Sequence, residues 1–154
     1  VPVVDSLYKL LSQVSLVPSH HRIMTTPMTP LKENTPTMTF KYFSRDEFAC
    51  QATGENEIED ELIYALDELR EHCGFPFVIT SGYRSPDHPI ELGKQRPGTH
   101  AQGIAADIAV SSGLQRYTVV KNAIKLGFTG IGVAGGFVHV DIRATDTPVM
   151  WTYS

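Results

Sequence analysis

Three side chains in this sequence have the types and spacing to do chemistry. His100 and Asp107 lie in GTHAQGIAADIAV, and His139 lies in GFVHVDIR. Two imidazoles and one carboxylate can hold a zinc ion while leaving its fourth position open to water, the arrangement of a metal-activated hydrolase. Zinc lowers the pKa of a bound water to about 7, which gives a nucleophile at neutral pH.

The chain must then bring these residues together. His100 and Asp107 are seven apart, an odd number, so on one uninterrupted strand they would face opposite ways. Gly103 between them permits a turn that removes the conflict. Residues Ile104 to Val110 predict a strand with Ile104, Ala106, Ile108 and Val110 on one face and Ala105, Asp107 and Ala109 on the other. Small alanines on either side leave room for a close approach to Asp107. From Phe137 to Arg143 the apolar Val138, Val140 and Ile142 alternate with His139, Asp141 and Arg143, which predicts a last strand with one core face and one ionisable face. Gly130, Gly132, Gly135 and Gly136 punctuate the two short strands expected there.

The supporting elements read as follows. Ser44 and Glu47 form a capping box that predicts a short helix over about 45–50. Ile58, Leu62, Ala65, Leu66, Leu69 and Cys73 fall at helical spacing behind an acidic run and end at Gly74. That acidic run suits the positive end of a helix dipole and needs no ligand to account for it. Phe77 to Thr80 predicts a short buried strand, and Ser81 to Pro97 a long polar loop. Leu114, Tyr117, Val120 and Ile124 predict a helix over about 112–126, closed by Gly127, with that stripe facing the core. The expected fold is α+β, a small and mainly antiparallel sheet packed with helices and carrying zinc in a cleft.

Composition bounds the rest. With 154 residues, 42% hydrophobic, the chain can bury one ordinary core. A net charge of -4 and the lack of a Lys/Arg stripe give no footprint for a nucleic acid backbone. No apolar run approaches the roughly 20 residues that cross a bilayer, and no basic-then-apolar export signal is read at the N-terminus. Residues 1–37 hold five of the ten prolines and no glycine, so they read as an extended leader, linker or expression-derived segment, with a brief helical pattern from Leu7 to Val14. The compact domain is expected over 38–154, and Met38 is a candidate native start. Cys50 and Cys73 have no metal-knuckle spacing and read as buried thiols, with a disulfide as the alternative.

The segments SGYRSPDHP, GTHAQGIAADIAV and FVHVD resemble the zinc peptidases of the D-alanyl-D-alanine carboxypeptidase and L-alanyl-D-glutamate endopeptidase family, which act on peptidoglycan peptides. The resemblance covers about residues 40–154. Gly98, His100, Gly103, Ala105 and Asp107 match its first metal motif, with Gly98 where the family usually has serine, and His139 matches its third ligand. It implies that Arg84 contacts substrate and stabilises developing negative charge, a role suited to a permanently charged guanidinium. The family's base positions hold Gly136 and Phe137 here, so Asp141, on the same strand face as His139, is the remaining candidate for proton transfer or for orienting an imidazole.

The resemblance further implies cleavage of a peptide bond of the peptidoglycan stem, and the chain is expected to act as a monomer with neither nucleic acid nor membrane as a partner. The form of the motifs is similar to phage endolysins, which collect in the host cytoplasm before reaching the wall or periplasm. Two alternatives remain open at this point. One is a non-catalytic zinc-containing binding module, as in hedgehog signalling domains, which share this metal-site architecture. The other is a bacterial D,D-carboxypeptidase of wall remodelling.

Overall fold

The computed structural model describes residues 39–154, and Phe40–Ser154 forms one compact unit. The expectations for residues 1–37, the helical pattern at Leu7–Val14 and the start at Met38 lie outside the described residues. Ser44 precedes a single 3-10 turn, Arg45–Phe48, and the Glu47 carboxylate accepts from the Ser44 backbone N–H at 2.9 Å. The turn is shorter than the expected helix because Ala49 is already extended, with ψ 146°.

Helix α1 spans Asp60–Cys73 and stops at Gly74 in the left-handed conformation, φ 74°. Its buried stripe is Leu62, Ile63, Leu66 and Leu69. Ile58 is buried but precedes the helix, where its carbonyl accepts from the Arg45 guanidinium at 2.6 Å. Helix α2 spans Gly113–Leu126, with the Ser112 side chain accepting from the Gln115 N–H and Gly127 closing it at φ 85°.

The expected buried face of α2 is corrected. Leu114, Tyr117 and Ile124 are 76%, 67% and 58% exposed, while Val119, Asn122 and Ala123 are buried. Large residues at helical spacing gave the stronger pattern, but small Ala123 allows the closer approach. Asn122 fits inside because its amide donates to the Thr118 carbonyl at 2.9 Å and meets the Cys73 sulfur.

Five strands form one sheet in the order β1-β2-β4-β3-β5. They are β1 Ile79–Ser81, β2 Ala105–Ala109, β3 Gly130–Val133, β4 Phe137–Asp141 and β5 Val149–Thr152. All neighbours pair antiparallel except β3 with β5. The α+β architecture therefore holds, with two helices and a mainly antiparallel sheet.

Three strand expectations shift. β1 starts two residues later than Phe77 because it is an edge strand, with Val78 exposed and Phe77 buried edge-on against Phe75. β4 ends at Asp141, where Arg143 turns back to bond its carboxylate. It is also followed by β5, a strand whose short VMWT sequence carries no clear alternation. Both cysteines are free thiols, Cys50 buried and Cys73 half-buried.

The two faces of the sheet divide the labour. Ala106, Ile108, Val138, Val140 and Ile131 point into the core that the helices close. Pairing on the other face aligns Ser81, Asp107, His139, Gly132 and Trp151 in one row across all five strands. Asp107 and His139 are thereby direct cross-strand neighbours on two central strands, the stiffest place such a pair could occupy.

Candidate metal centre

His100 reaches the row from a turn rather than from a strand. Gly103 makes that turn at φ 74°, and its N–H donates to the His100 carbonyl at 3.2 Å. A Cβ at Gly103 would stand 2.1 Å from the Glu57 carbonyl oxygen, so both conformation and space call for glycine. The parity conflict between His100 and Asp107 is resolved at this residue.

Three atoms then converge. His100 Nε2 lies 3.1 Å from His139 Nδ1 and 3.2 Å from Asp107 Oδ1, and His139 Nδ1 lies 3.1 Å from the same oxygen. All three residues are buried. The opposite ring nitrogens fix what these atoms present. His100 Nδ1 faces the Gly82 carbonyl at 2.7 Å, and His139 Nε2 faces Asp141 Oδ2 at 2.8 Å. Both partners only accept, so in the neutral rings that metal ligation requires the outer nitrogens carry the protons and the lone pairs turn inward.

Two imidazole lone pairs and a carboxylate oxygen thus meet with no proton between them, which is unfavourable in a buried site without a cation. Bonds of about 2.0–2.1 Å to a tetrahedral zinc place neighbouring ligands about 3.3–3.4 Å apart, close to the triangle found here. The donor set, the geometry and the orienting acceptors behind each imidazole all fit zinc.

Electrostatics follow the same contacts. Burial pushes the Asp107 carboxyl up, but in the metal-free protein hydrogen bonds from His100 and His139, made when those rings carry a proton on the inner nitrogen, outweigh it and hold the group well below the usual carboxylate range. Asp141 is likewise held low against its burial, by the Arg143 side chain first and by His139 next. For His139, burial disfavours the charged ring, and the two carboxylates on either side more than offset it and raise its pKa.

Arg84 joins from the loop after β1. Its Nε donates to Ser81 Oγ at 3.1 Å and its Nη2 stands 3.4 Å from Asp107 Oδ2, the oxygen turned away from the two imidazoles. A fixed cation therefore borders the cluster. Asp141 is sealed in, with no exposure. Its oxygens accept from Arg143 Nε at 2.9 Å, Nη2 at 2.6 Å and the backbone N–H at 3.2 Å, besides His139. A carboxylate so occupied can orient an imidazole but has no free lone pair aimed at a reacting water. Tyr83 is buried, and the His88 backbone lies within the turns of the long loop, bonded to Ser85 and Glu91.

The Peptidase M15 family model matches residues 41–141, about two thirds of the chain. The chain belongs to the Peptidase M15 family. Membership makes it a member of a group of zinc metallopeptidases that includes the D-alanyl-D-alanine carboxypeptidases, and all three converging residues fall inside the match. No curated protein matches the chain significantly.

Several residues that build this M15 site were not singled out from sequence. Gly82 is one: a Cβ there would stand 2.6 Å from the Phe48 backbone, and its carbonyl is the acceptor that orients His100. Gly130 opens β3 and Gly132 sits inside it, both on the metal face. Side chains there would collide with Asp141 Oδ2 at 2.2 Å and with Trp151 Nε1 at 2.7 Å. Their two-residue spacing on a strand was the available signal, because it marks one face kept clear for a close approach. Arg143, noted only as a polar-face residue, is the partner that makes a buried Asp141 tolerable.

Proposed function

We propose that this domain is a zinc-dependent peptidase hydrolysing a peptide bond in the stem peptides of bacterial peptidoglycan, with His100, Asp107 and His139 as the zinc ligands. The observation that carries this reading is the buried triangle of two inward-facing imidazole lone pairs and one carboxylate oxygen, with edges of 3.1–3.2 Å. When bound, zinc supplies a Lewis acid for the scissile carbonyl and a nucleophile at neutral pH. The residues of the chain do the rest. Gly82 and Asp141 fix the tautomers and angles of the two rings, and Arg143 neutralises Asp141. Arg84 offers a guanidinium that binds a substrate carboxylate or the oxyanion formed during attack.

On this reading the domain acts as a monomer, on a peptide rather than on a nucleic acid or a membrane lipid. We further propose that it serves as an endolysin, held in the host cytoplasm until the membrane opens to the wall. The motif form supports that context, and no described helix is long and apolar enough to cross a membrane.

A second reading, a non-catalytic zinc module, is favoured by one observation: Gly136 and Phe137 occupy the usual base positions, and Asp141 is sealed by Arg143. Mass spectrometry of purified peptidoglycan digested with the zinc-loaded protein separates the readings. The peptidase gives new amino termini that vanish on chelation and return with zinc, and their masses identify an endopeptidase or a D,D-carboxypeptidase. Zinc bound stoichiometrically with no bond cut in any muropeptide supports the binding module. His100→Ala and His139→Ala should each lose metal stoichiometry together with activity.

A further inference from the structure

Strand β5 lies beyond the part of the chain that matches the family, which ends at Asp141. Its Trp151 nevertheless stands in the row of the metal face, aligned with Gly132 and, one strand further, with His139. Because Gly132 has no side chain, the indole leans across β3 and meets the His139 imidazole at 5.0 Å between ring centroids. A Cβ at Gly132 would lie 2.7 Å from Nε1 and 2.8 Å from Cε2 of that indole. The indole also lies under the Arg143 guanidinium, 5.2 Å from its centroid. A closed circuit results: His139 bonds Asp141, Asp141 bonds Arg143, Arg143 stacks on Trp151, and Trp151 packs on His139.

We propose that Trp151 is a positioning residue of the metal centre, holding the His139 ring so that Nδ1 stays aimed at the ion, an inference that rests on the reading of His100, Asp107 and His139 as zinc ligands. The hydrogen bond to Asp141 fixes one nitrogen but leaves the ring free to swing about that bond. The indole blocks the swing on one side. It also covers one side of the Arg143 guanidinium, which makes the setting of its bonds to Asp141 less polar. The contact with Arg143 adds a cation–π attraction that holds the far end of the circuit.

The chain has a single tryptophan, so its emission reports this contact directly. Titrating metal-free protein with zinc and with cobalt(II) should change Trp fluorescence before any substrate is present, cobalt by quenching. Zinc affinity, measured by competition with a chromophoric chelator, should fall tenfold or more in Trp151→Ala, the scale of orienting-partner losses at metal sites. The visible absorption of the cobalt form should change with it. Trp151→Phe, which keeps a ring against His139, should lose less than that tenfold. Met150→Ala, an exposed neighbour on the other face of β5, controls for loosening of the strand and should leave zinc affinity and the cobalt spectrum unchanged. Wild-type affinity and an unaltered cobalt spectrum in Trp151→Ala overturn this inference alone, as does an equal loss in Met150→Ala. Wild-type protein that binds neither ion removes the zinc reading and this inference with it.

Discussion

Replacing Asp141 by Asn changes one atom and should separate the folding role of this residue from its metal role. The carboxylate has four acceptor sites in use: Oδ2 takes His139 Nε2 and Arg143 Nη2, and Oδ1 takes Arg143 Nε and the Arg143 backbone N–H. An amide of the same shape has only one oxygen. If that oxygen faces His139 and Nη2, the NH2 group points at two donors of Arg143. If the amide is flipped, its NH2 points at His139, Nε2 must give up its proton to accept, and Nδ1 becomes protonated where a lone pair is needed. Both orientations also leave a buried Arg143 contact without its charge partner.

Breaking a buried pair in this way costs about 3–5 kcal/mol, which we discount to about 2–3 because the Arg143 side chain is 34% exposed and partly screened. Loss of an orienting partner weakens metal binding about 10–100-fold, or about 1.4–2.7 kcal/mol. Chelator competition at pH 7 measures the second quantity, and melting of the metal-free protein measures the first. Zinc affinity within twofold of wild type, in a variant whose circular dichroism is native, would refute the orienting role of Asp141.

The other expectations follow from single contacts. Gly103→Ala forces a β-carbon into a left-handed turn and against the Glu57 carbonyl, so it should destabilise by at least about 2 kcal/mol, lowering the melting midpoint by roughly 8 °C; an unchanged midpoint would mean that the turn can rebuild. Arg84→Ala should retain one zinc per chain while turnover on muropeptides falls about 10²–10³-fold, the usual cost of removing one oxyanion donor, and zinc loss in that variant would instead make Arg84 a support for Asp107. The pH dependence of the metal-free protein should have two limbs. Asp107 and Asp141 are held below their unfolded values, so their contribution is present above about pH 4 and lost as pH falls through the folded values. His139 is raised, so its contribution is full below about pH 6.5 and lost as pH rises through the folded value. Thermal melts across pH 3–9 should therefore show stability falling at both ends without metal. With zinc, which replaces the His139 proton, the alkaline limb should reverse. A metal-free curve flat from pH 4 to 9 would contradict the placement of His139 between two carboxylates.

Much of this was legible in the sequence, and the parts that were not share a cause. α1 and both helix stops follow from periodicity and from glycines that end up left-handed, which are local properties. The alternation of β2 and β4 put Asp107 and His139 on faces opposite the apolar residues, and Gly103 marked the turn that returns His100 to them. The face of α2 was misread because Leu114, Tyr117 and Ile124 form a regular stripe, whereas burial is decided by which side can approach the sheet closely, a tertiary property that Ala123 and Asn122 satisfy. β5 was missed because an edge strand with exposed Val149 and Met150 need not alternate. Arg143 and Trp151 were missed as site residues because their partners are defined only by pairing across strands.

The row Ser81, Asp107, His139, Gly132 and Trp151 explains why the site tolerates so many buried charges. Each residue of the row is placed by backbone pairing, so the sheet bears the cost of holding one imidazole and the carboxylate together, and His100 joins them from its turn. The glycine at position 132 is the one gap in the row, and the indole of Trp151 fills it from the next strand. Gly130, one row away, gives the same clearance to Asp141. β3 is thus thinned on alternate residues along its metal face, while Ile131 between them still fills the core. A strand sequence of Gly-Ile-Gly-Val satisfies both demands at once, because a period of two separates the face that must stay open from the face that must be packed.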